Sequence, residues 1–228
     1  MILVLMYEEF LLPVYLLTPF YHFVSFLLFA FSLLGRGSMF VYSTDQFKQF
    51  LNIQDEIKFG SLLDIGAGDG ATTQRMAGSF DRVSVTEISP PMRWALAKKH
   101  FRVLELNDWM NHRFDVVSCL NVLDRCDSPL TLIEHMKSAL NPGGALLIAI
   151  VLPYTPYVET NKTFTPSERL PLTGKTAEEQ VNCFATDFVR SLGLKVVRWT
   201  RLPYISEGDI HQSYYWLDDY LFLLVPTS

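Results

Sequence analysis

A short apolar run that breaks off into glycines limits this chain more than any other feature. Ser61-Leu62-Leu63-Asp64-Ile65 leads into Gly66-Ala67-Gly68-Asp69-Gly70, and helical spacing takes over from Ala71 to Ala77. Glycines let a backbone turn sharply and approach a ligand closely, and a strand that enters a helix this way belongs at the carboxyl edge of an open α/β sheet. Strand-like and helix-like segments then alternate. Arg82–Ile88 is β-branched, Pro90-Pro91 opens a helix running to Lys99, and Arg102–Leu106 and Phe114–Leu120 read as strands. A helix from Pro129 to Leu140 is stopped by the turn sequence Asn141-Pro142-Gly143-Gly144, and Ala145–Leu152 is apolar throughout, as a central strand buried on both faces is. A helix from Ala177 to Leu192 ends at Gly193, and Leu194–Thr200 and Asp219–Val225 complete the set. The pattern predicts one α/β domain with a doubly wound sheet. Between Pro153 and Lys175, four prolines and no regular period predict a long loop or lid.

Charge separates this body from what precedes it. Phe10–Leu34 contains no Asp, Glu, Lys or Arg. Acidic Glu8 and Glu9, in place of a basic stretch, argue against a signal peptide. Pro13 and Pro19 interrupt the run, and Phe20–Leu34 as a helix would rise only ~22 Å, short of a ~30 Å hydrocarbon core. A buried or interfacial helix is therefore expected, with residues 1–45 forming an apolar helical extension packed on a domain of residues 46–228. Met1 to Pro19 is left as the candidate for membrane contact. A net charge of -5 over 228 residues argues against a nucleic-acid partner, which would need a basic face. Cys119, Cys126 and Cys183 form no CxxC pair and the histidines show no HxxxH spacing, so no metal site is predicted.

Glu87 closes the second strand, where a carboxylate can accept both hydroxyls of a ribose. Gly66-x-Gly68-x-x-Ala71 satisfies a dinucleotide fingerprint, but Asp69 would then face a pyrophosphate of the same sign. S-adenosylmethionine carries no phosphate and has cationic sulfur and amino groups, which Asp64 and Asp69 suit. The pattern Asp64-x-Gly66-x-Gly68-x-Gly70 is the first motif of class I methyltransferases. Beyond the fourth strand, where such enzymes place the methyl acceptor, stand Asn121 and Asp124, without the Pro-Pro-aromatic of many amino-group methyltransferases. An alternative for these two is a turn cap at Asn121 and an ion pair from Asp124 to Arg125 or Arg102.

The blocks LGRGSMFVYS from Leu34 to Ser43, LLDIGAGDG, VTEIS, SCLNVLDRCDSPLTL, VLPYTPYVE, TRLPYISEGD and YYWLDD resemble the methyltransferase-like protein 9 (DREV) family, from about Phe20 to the carboxyl terminus. The resemblance implies a class I, Rossmann-like methyltransferase with a seven-stranded, mostly parallel sheet and an N-terminal helical extension. It implies S-adenosylmethionine as methyl donor, S-adenosylhomocysteine as product, and methylation of protein histidine at the pros nitrogen (Nπ) in His-x-His motifs with a small central residue. Association with the endoplasmic reticulum or a mitochondrion is implied too, the cytoplasm being the alternative. Carried onto this chain, it assigns Asp64, Gly66, Gly68, Glu87, Asn121 and Tyr204 to the cofactor, with Arg36 in a segment closing over it. It sets Asp124 and Tyr215 near the substrate histidine, and with Asn121 these are the candidate catalytic residues: Asp124 is expected to accept a hydrogen bond from that histidine and Tyr215 to wall its ring. Two other readings are a methyltransferase of a small-molecule amine and an inert methyltransferase fold that binds partners. Intact glycines and Glu87 count against the inert fold.

Overall fold

The computed structural model describes residues 39–53, 58–158, 164–207 and 213–227. In chain order the strands are β1 (Met39–Phe40), β2 (Phe59–Ile65), β3 (Phe80–Thr86), β4 (Arg102–Val103), β5 (Phe114–Leu120), β6 (Leu140–Val151), β7 (Leu194–Glu207) and β8 (Tyr214–Pro226). The helices are α1 (Thr44–Leu51), α2 (Ala71–Ala77), α3 (Pro90–Lys98), α4 (Pro129–Ser138), α5 (Ala177–Cys183) and α6 (Val189–Ser191). The strands form one sheet in the order β1-β7-β8-β6-β5-β2-β3-β4. Pairings from β6 through β5, β2 and β3 to β4 are parallel, whereas β8 is antiparallel to both β6 and β7. This is the expected seven-stranded sheet with a short eighth strand, β1, added antiparallel to the edge of β7. The chain winds outward from β2 to β3 and β4, then restarts at β5 on the other side. The β2–β5 seam is thus a topological switch point, where open α/β sheets bind ligands.

Local chemistry explains most boundaries. Ser43 and Gln46 form a reciprocal capping box at α1, and Thr176 and Glu179 form another at α5. Pro90 and Pro129 occupy the first positions of α3 and α4, where no amide hydrogen is needed. Asp115 joins three strands: it accepts from the Ser61 amide (2.7 Å), the Ser61 hydroxyl (2.8 Å) and Asn141 Nδ2 (2.8 Å). Two apolar layers sandwich the sheet. Leu63, Val117, Ile133, Met136, Ile148, Phe184 and Phe222 belong to one, and Val41, Phe47, Leu62, Met76, Leu147 and Leu221 to the other.

Several expectations are corrected. The end of the presumed helical extension is the strand β1, and α1 begins at Thr44, so the division at residue 45 cuts a helix. Strand pairing satisfies backbone groups of Met39 and Phe40 that a helix ending there would leave open. Residues 1–38, and with them the apolar run and Arg36, lie outside the described residues. Among the described residues no helix is long and apolar enough to cross a membrane. Asn141–Gly144 does not end the helix as a free turn but lies within β6 as a bulge: Leu140 pairs with Phe114, and Ala145 with Val116. The helix expected over 177–192 is interrupted by a π-helical turn, Phe184–Phe188, and both of those phenylalanines are buried. β7 and β8 are far longer than hydropathy implied, because their outer ends pair with each other beyond the reach of β6. The loop between β6 and α5 is tied down in its described parts: the Tyr157 amide donates to Asp124 O (2.8 Å), and Ser167 donates through both amide and hydroxyl to the Asp127 carboxylate.

Candidate active site

The site is built on the turns that follow β2, β3 and β5, and on the face of β8 that looks toward them. After β2, Gly66, Gly68 and Gly70 all take positive φ, from 56° to 80°. This is left-handed backbone, which residues with a Cβ avoid. Their reasons differ. A Cβ at Gly66 would lie 2.5 Å from Val122 Cγ2, and one at Gly70 would lie 2.8 Å from Leu96 Cδ2, whereas one at Gly68 would meet no described atom within 4 Å. Gly66 and Gly70 therefore permit packing, while Gly68 leaves open space over the carboxyl edge. The amides of Gly66 and Ala67 donate to Thr86 O, and the Gly68 amide donates to Glu87 Oε2 (2.9 Å), which folds the loop onto the end of β3. Glu87 Oε1 accepts from the Ser89 amide (2.9 Å). Each oxygen of Glu87 keeps a further lone pair for a ligand hydroxyl.

Asp64 lies beneath the loop. It is 2% exposed, and its two oxygens accept from the hydroxyls of Thr73 and Ser118, both at 2.6 Å. It clamps β2 to α2 and β5, and would reach a ligand through the field of its charge. Asp69 caps the backbone of α2 at Ala71 and pairs with Lys99 (3.5 Å).

Asn121 and Asp124 meet where β5 ends. Asn121 takes φ 58°, a left-handed conformation that asparagine tolerates, and a turn follows in which the Arg125 and Cys126 amides donate to Val122 O. Asn121 Nδ2 donates to Asp219 Oδ2 of β8 (2.8 Å), and Arg125 Nε approaches Asp124 Oδ2 (3.3 Å). The remaining oxygens, Asn121 Oδ1 and Asp124 Oδ1, are buried and have no hydrogen-bond partner among the described residues. Buried acceptors are rarely left so, and two of them three residues apart mark a place for a donor. The alternative reading of Asp124 as an ion-pair partner of Arg125 thus holds for one oxygen only. The pair is not a surface one, since Asp124 is only 5% exposed.

Register brings the other site residues together. Tyr204 pairs with Leu217, and the alternation along β8 sets Tyr215, Leu217, Asp219 and Leu221 on one face of the sheet. Tyr204 and Tyr42 are buried on that side. The Tyr204 hydroxyl donates to Met39 Sδ, which joins β7 to β1, while the Tyr42 hydroxyl is buried with no partner among the described residues. Asp219 and Tyr42 went unread in the sequence. The only signal for Asp219 is a carboxylate at the head of an apolar strand, and for Tyr42 there is none beyond its place after β1.

The electrostatics are acidic. Burial pushes the carboxyls of Asp64 and Asp219 up to about 6, with Glu87 adding to the first and Asp124 to the second. Burial raises Asp124 as well, opposed by the Arg125 guanidinium. Burial and the charges of Asp219 and Asp124 hold the Tyr204 phenol neutral far above its ordinary range. Such a site suits a cation and repels a phosphate. Among the described residues no cluster of His, Cys, Asp or Glu could hold a metal ion.

The raised carboxyls have a consequence for stability. Between about pH 4 and about pH 6 the folded protein binds more protons at Asp64 and Asp219 than the unfolded chain does, so their contribution falls as pH rises through that window. By scanning calorimetry, the loss of Tm from about pH 5 to about pH 7 should be larger for the wild type than for Asp64→Asn. Equal losses would contradict burial of a titrating carboxyl there.

Comparison with known proteins follows the same lines. Residues 20–226 match the sequence profile of a family described as DREV methyltransferase. A 100-residue stretch is 28% identical to a ubiquinone biosynthesis O-methyltransferase of Xanthomonas campestris, covering 39% of this chain and 41% of that protein. A 108-residue stretch is 33% identical to the hybrid PKS-NRPS synthetase lepA of Aspergillus flavus, covering 40% of this chain and 3% of that one. The chain thus matches less than half the length of either relative. Among solved structures, the N-methyltransferase NodS of Bradyrhizobium japonicum, in complex with S-adenosylhomocysteine, superposes with a TM-score of 0.52 at 17% identity, over 81% of this chain and 85% of that one. The 1,6-didemethyltoxoflavin-N1-methyltransferase of Burkholderia thailandensis, which also holds S-adenosylhomocysteine, gives 0.52 at 16% identity, over 81% and 76%. At these identities the likeness is one of fold: a class I methyltransferase-like α/β sheet with flanking helices.

Proposed function

Since the chain belongs to the DREV methyltransferase family, we propose that it transfers a methyl group from S-adenosylmethionine to Nπ of histidine in His-x-His segments of protein substrates. The observation that carries this reading is the pair of buried acceptors at the end of β5, Asn121 Oδ1 and Asp124 Oδ1, which have no hydrogen-bond partner among the described residues.

Bound S-adenosylmethionine supplies a methyl group on a cationic sulfur. The residues around it divide the work of holding it. Gly68 leaves space for close approach, Glu87 has lone pairs that would receive two neighbouring ribose hydroxyls, and Asn121 Oδ1 would accept from the ammonium. The fields of Asp64 and Asp219 favour a cation from beneath.

Asp124 acts on the acceptor. A neutral imidazole has one N–H and one lone pair, so the tautomer decides which nitrogen reacts. Asp124 Oδ1 accepts from Nτ–H, which leaves the lone pair on Nπ and aims it. Near pH 7 a histidine of ordinary pKa is mostly neutral, so no strong base is required. As the ring gains a methyl group it becomes cationic, and the carboxylate of Asp124 stabilises that charge. Burial raises this carboxyl, and the guanidinium of Arg125 beside it opposes that effect. In this reading Tyr215, on the same sheet face as Asp219, walls the ring.

Incubation with isotopically labelled S-adenosylmethionine and a His-Ala-His peptide tests the proposal, with fragmentation mass spectrometry locating the label. A single methyl group on Nπ is expected. Transfer to Nτ, or no transfer to histidine while an amine metabolite is methylated, would overturn it.

A further inference from the structure

We propose that Asp219 is the positioning residue that decides which atom of the Asn121 side chain faces the cofactor. The proposal deepens the reading above and rests on its cofactor, not on histidine as the acceptor.

A primary amide presents either an oxygen that accepts or an NH2 that donates, and the two are alike in shape. At Asn121 the choice matters, because the oxygen would attract the ammonium of S-adenosylmethionine and the NH2 would repel it. Nothing in Asn121 itself makes that choice. Asp219 does, because a carboxylate only accepts: with Asp219 Oδ2 at 2.8 Å, the amide must turn its Nδ2 to β8, leaving Oδ1 on the site side without a partner among the described residues. The carboxylate is itself fixed. Asp219 Oδ1 accepts from the Tyr220 amide (2.9 Å), and the residue pairs with Val151 of β6 on one side and Leu202 of β7 on the other. It is fully buried. A carboxylate in such a place, held by an amide and a backbone N–H, is costly for the fold. A residue serving stability alone would be better as an apolar one. Burial is the main cause that raises Asp219, Tyr204 and Tyr42; the charge of Asp124 adds to Asp219, and that of Asp219 adds to both tyrosines, with Asp64 ahead of it at Tyr42.

The test is isothermal titration of the full chain with S-adenosylhomocysteine near pH 7.5, with thermal melting in parallel. Four proteins are compared: wild type, Asp219→Asn, Asn121→Asp, and the reciprocal double variant carrying both changes. An asparagine at 219 both donates and accepts, so the amide of Asn121 is free to reverse, and affinity should fall about tenfold or more in a protein that still melts cooperatively. Asn121→Asp alone sets two buried carboxylates face to face and should lose at least as much. The double variant restores a donor facing an acceptor and returns a carboxylate oxygen to the cofactor side. Its affinity should recover to within about threefold of wild type. If Asp219→Asn does not fold, Asn121→Asp against the double variant decides the question. A folded Asp219→Asn that binds like wild type, or a double variant no better than Asn121→Asp, would overturn the proposal. Absence of binding by the wild type would instead remove the cofactor reading on which it rests.

Discussion

Asp124→Asn is expected to lower the turnover of His-Ala-His methylation by about 10²- to 10³-fold while leaving the affinity for S-adenosylhomocysteine within about threefold of wild type. The substitution keeps the size and shape of the side chain, so the turn from Val122 to Cys126 and the backbone bond from Tyr157 to Asp124 O should persist. It removes two things at once. An amide at 124 no longer requires Nτ–H of the substrate, since its NH2 can turn to the ring and favour the tautomer with its lone pair on Nτ. It also removes the negative charge proposed to stabilise the cationic product ring. The first effect should shrink the reactive fraction without moving the label from Nπ, because the amide then holds the Nτ lone pair and Nπ carries the proton, and the second should appear as a fall in kcat larger than any change in the KM for the peptide. Arg125 strengthens the prediction, because an uncharged partner leaves its guanidinium facing the site unopposed. Turnover within a few-fold of wild type would remove Asp124 from the chemistry.

Gly66→Ala is expected to damage stability and catalysis together, which Gly68→Ala should not. Both positions have left-handed backbone, so alanine costs about 1–2 kcal/mol in strain at either. At Gly66 the new methyl would also lie 2.5 Å from Val122 Cγ2, an overlap that adds about 1–3 kcal/mol unless Val122 moves. Val122 lies between Asn121 and Asp124, so relieving the clash displaces both acceptors. A Tm loss of about 5–15 °C, with a large fall in cofactor affinity, is predicted for Gly66→Ala. Gly68→Ala, which meets no described atom within 4 Å, should lose only a few degrees and show its effect through the cofactor. Calorimetry and titration on the two variants separate packing from ligand approach. Equal melting temperatures would show that Val122 yields without cost.

Legibility in the sequence varied with the range of the interaction. The glycine loop, the strand before it and α2 were readable because strand period, turn chemistry and helix start are all local, and they coincide within the segment from Ser61 to Ala77. Glu87 was readable because its place depends on one strand–helix unit. Asn121 and Asp124 could be seen as candidates, but turn cap and ion pair were equally consistent with them. What separates these readings is burial and the presence of a partner on β8 that the chain reaches only much later. β7 and β8 extend beyond their apolar segments for a related reason. Tyr204 and Tyr215 lie in polar, aromatic-rich stretches whose residue types show no apolar–polar alternation, and each becomes a strand through the other.

The sequence alone determined an α/β sheet with a ligand-binding loop at its first crossover, an acidic balance unsuited to phosphate, and a family whose profile runs nearly to the carboxyl terminus. Those properties rest on neighbours in the chain and on composition. Tertiary structure decided which acids meet and which of their oxygens stay open. Asp64 is sealed by two hydroxyls, Asp124 is half paired, and Asp219 turns the amide of Asn121. Strand order joins residues almost a hundred positions apart, and in a buried site an atom's role depends on which partner has already taken its hydrogen bonds.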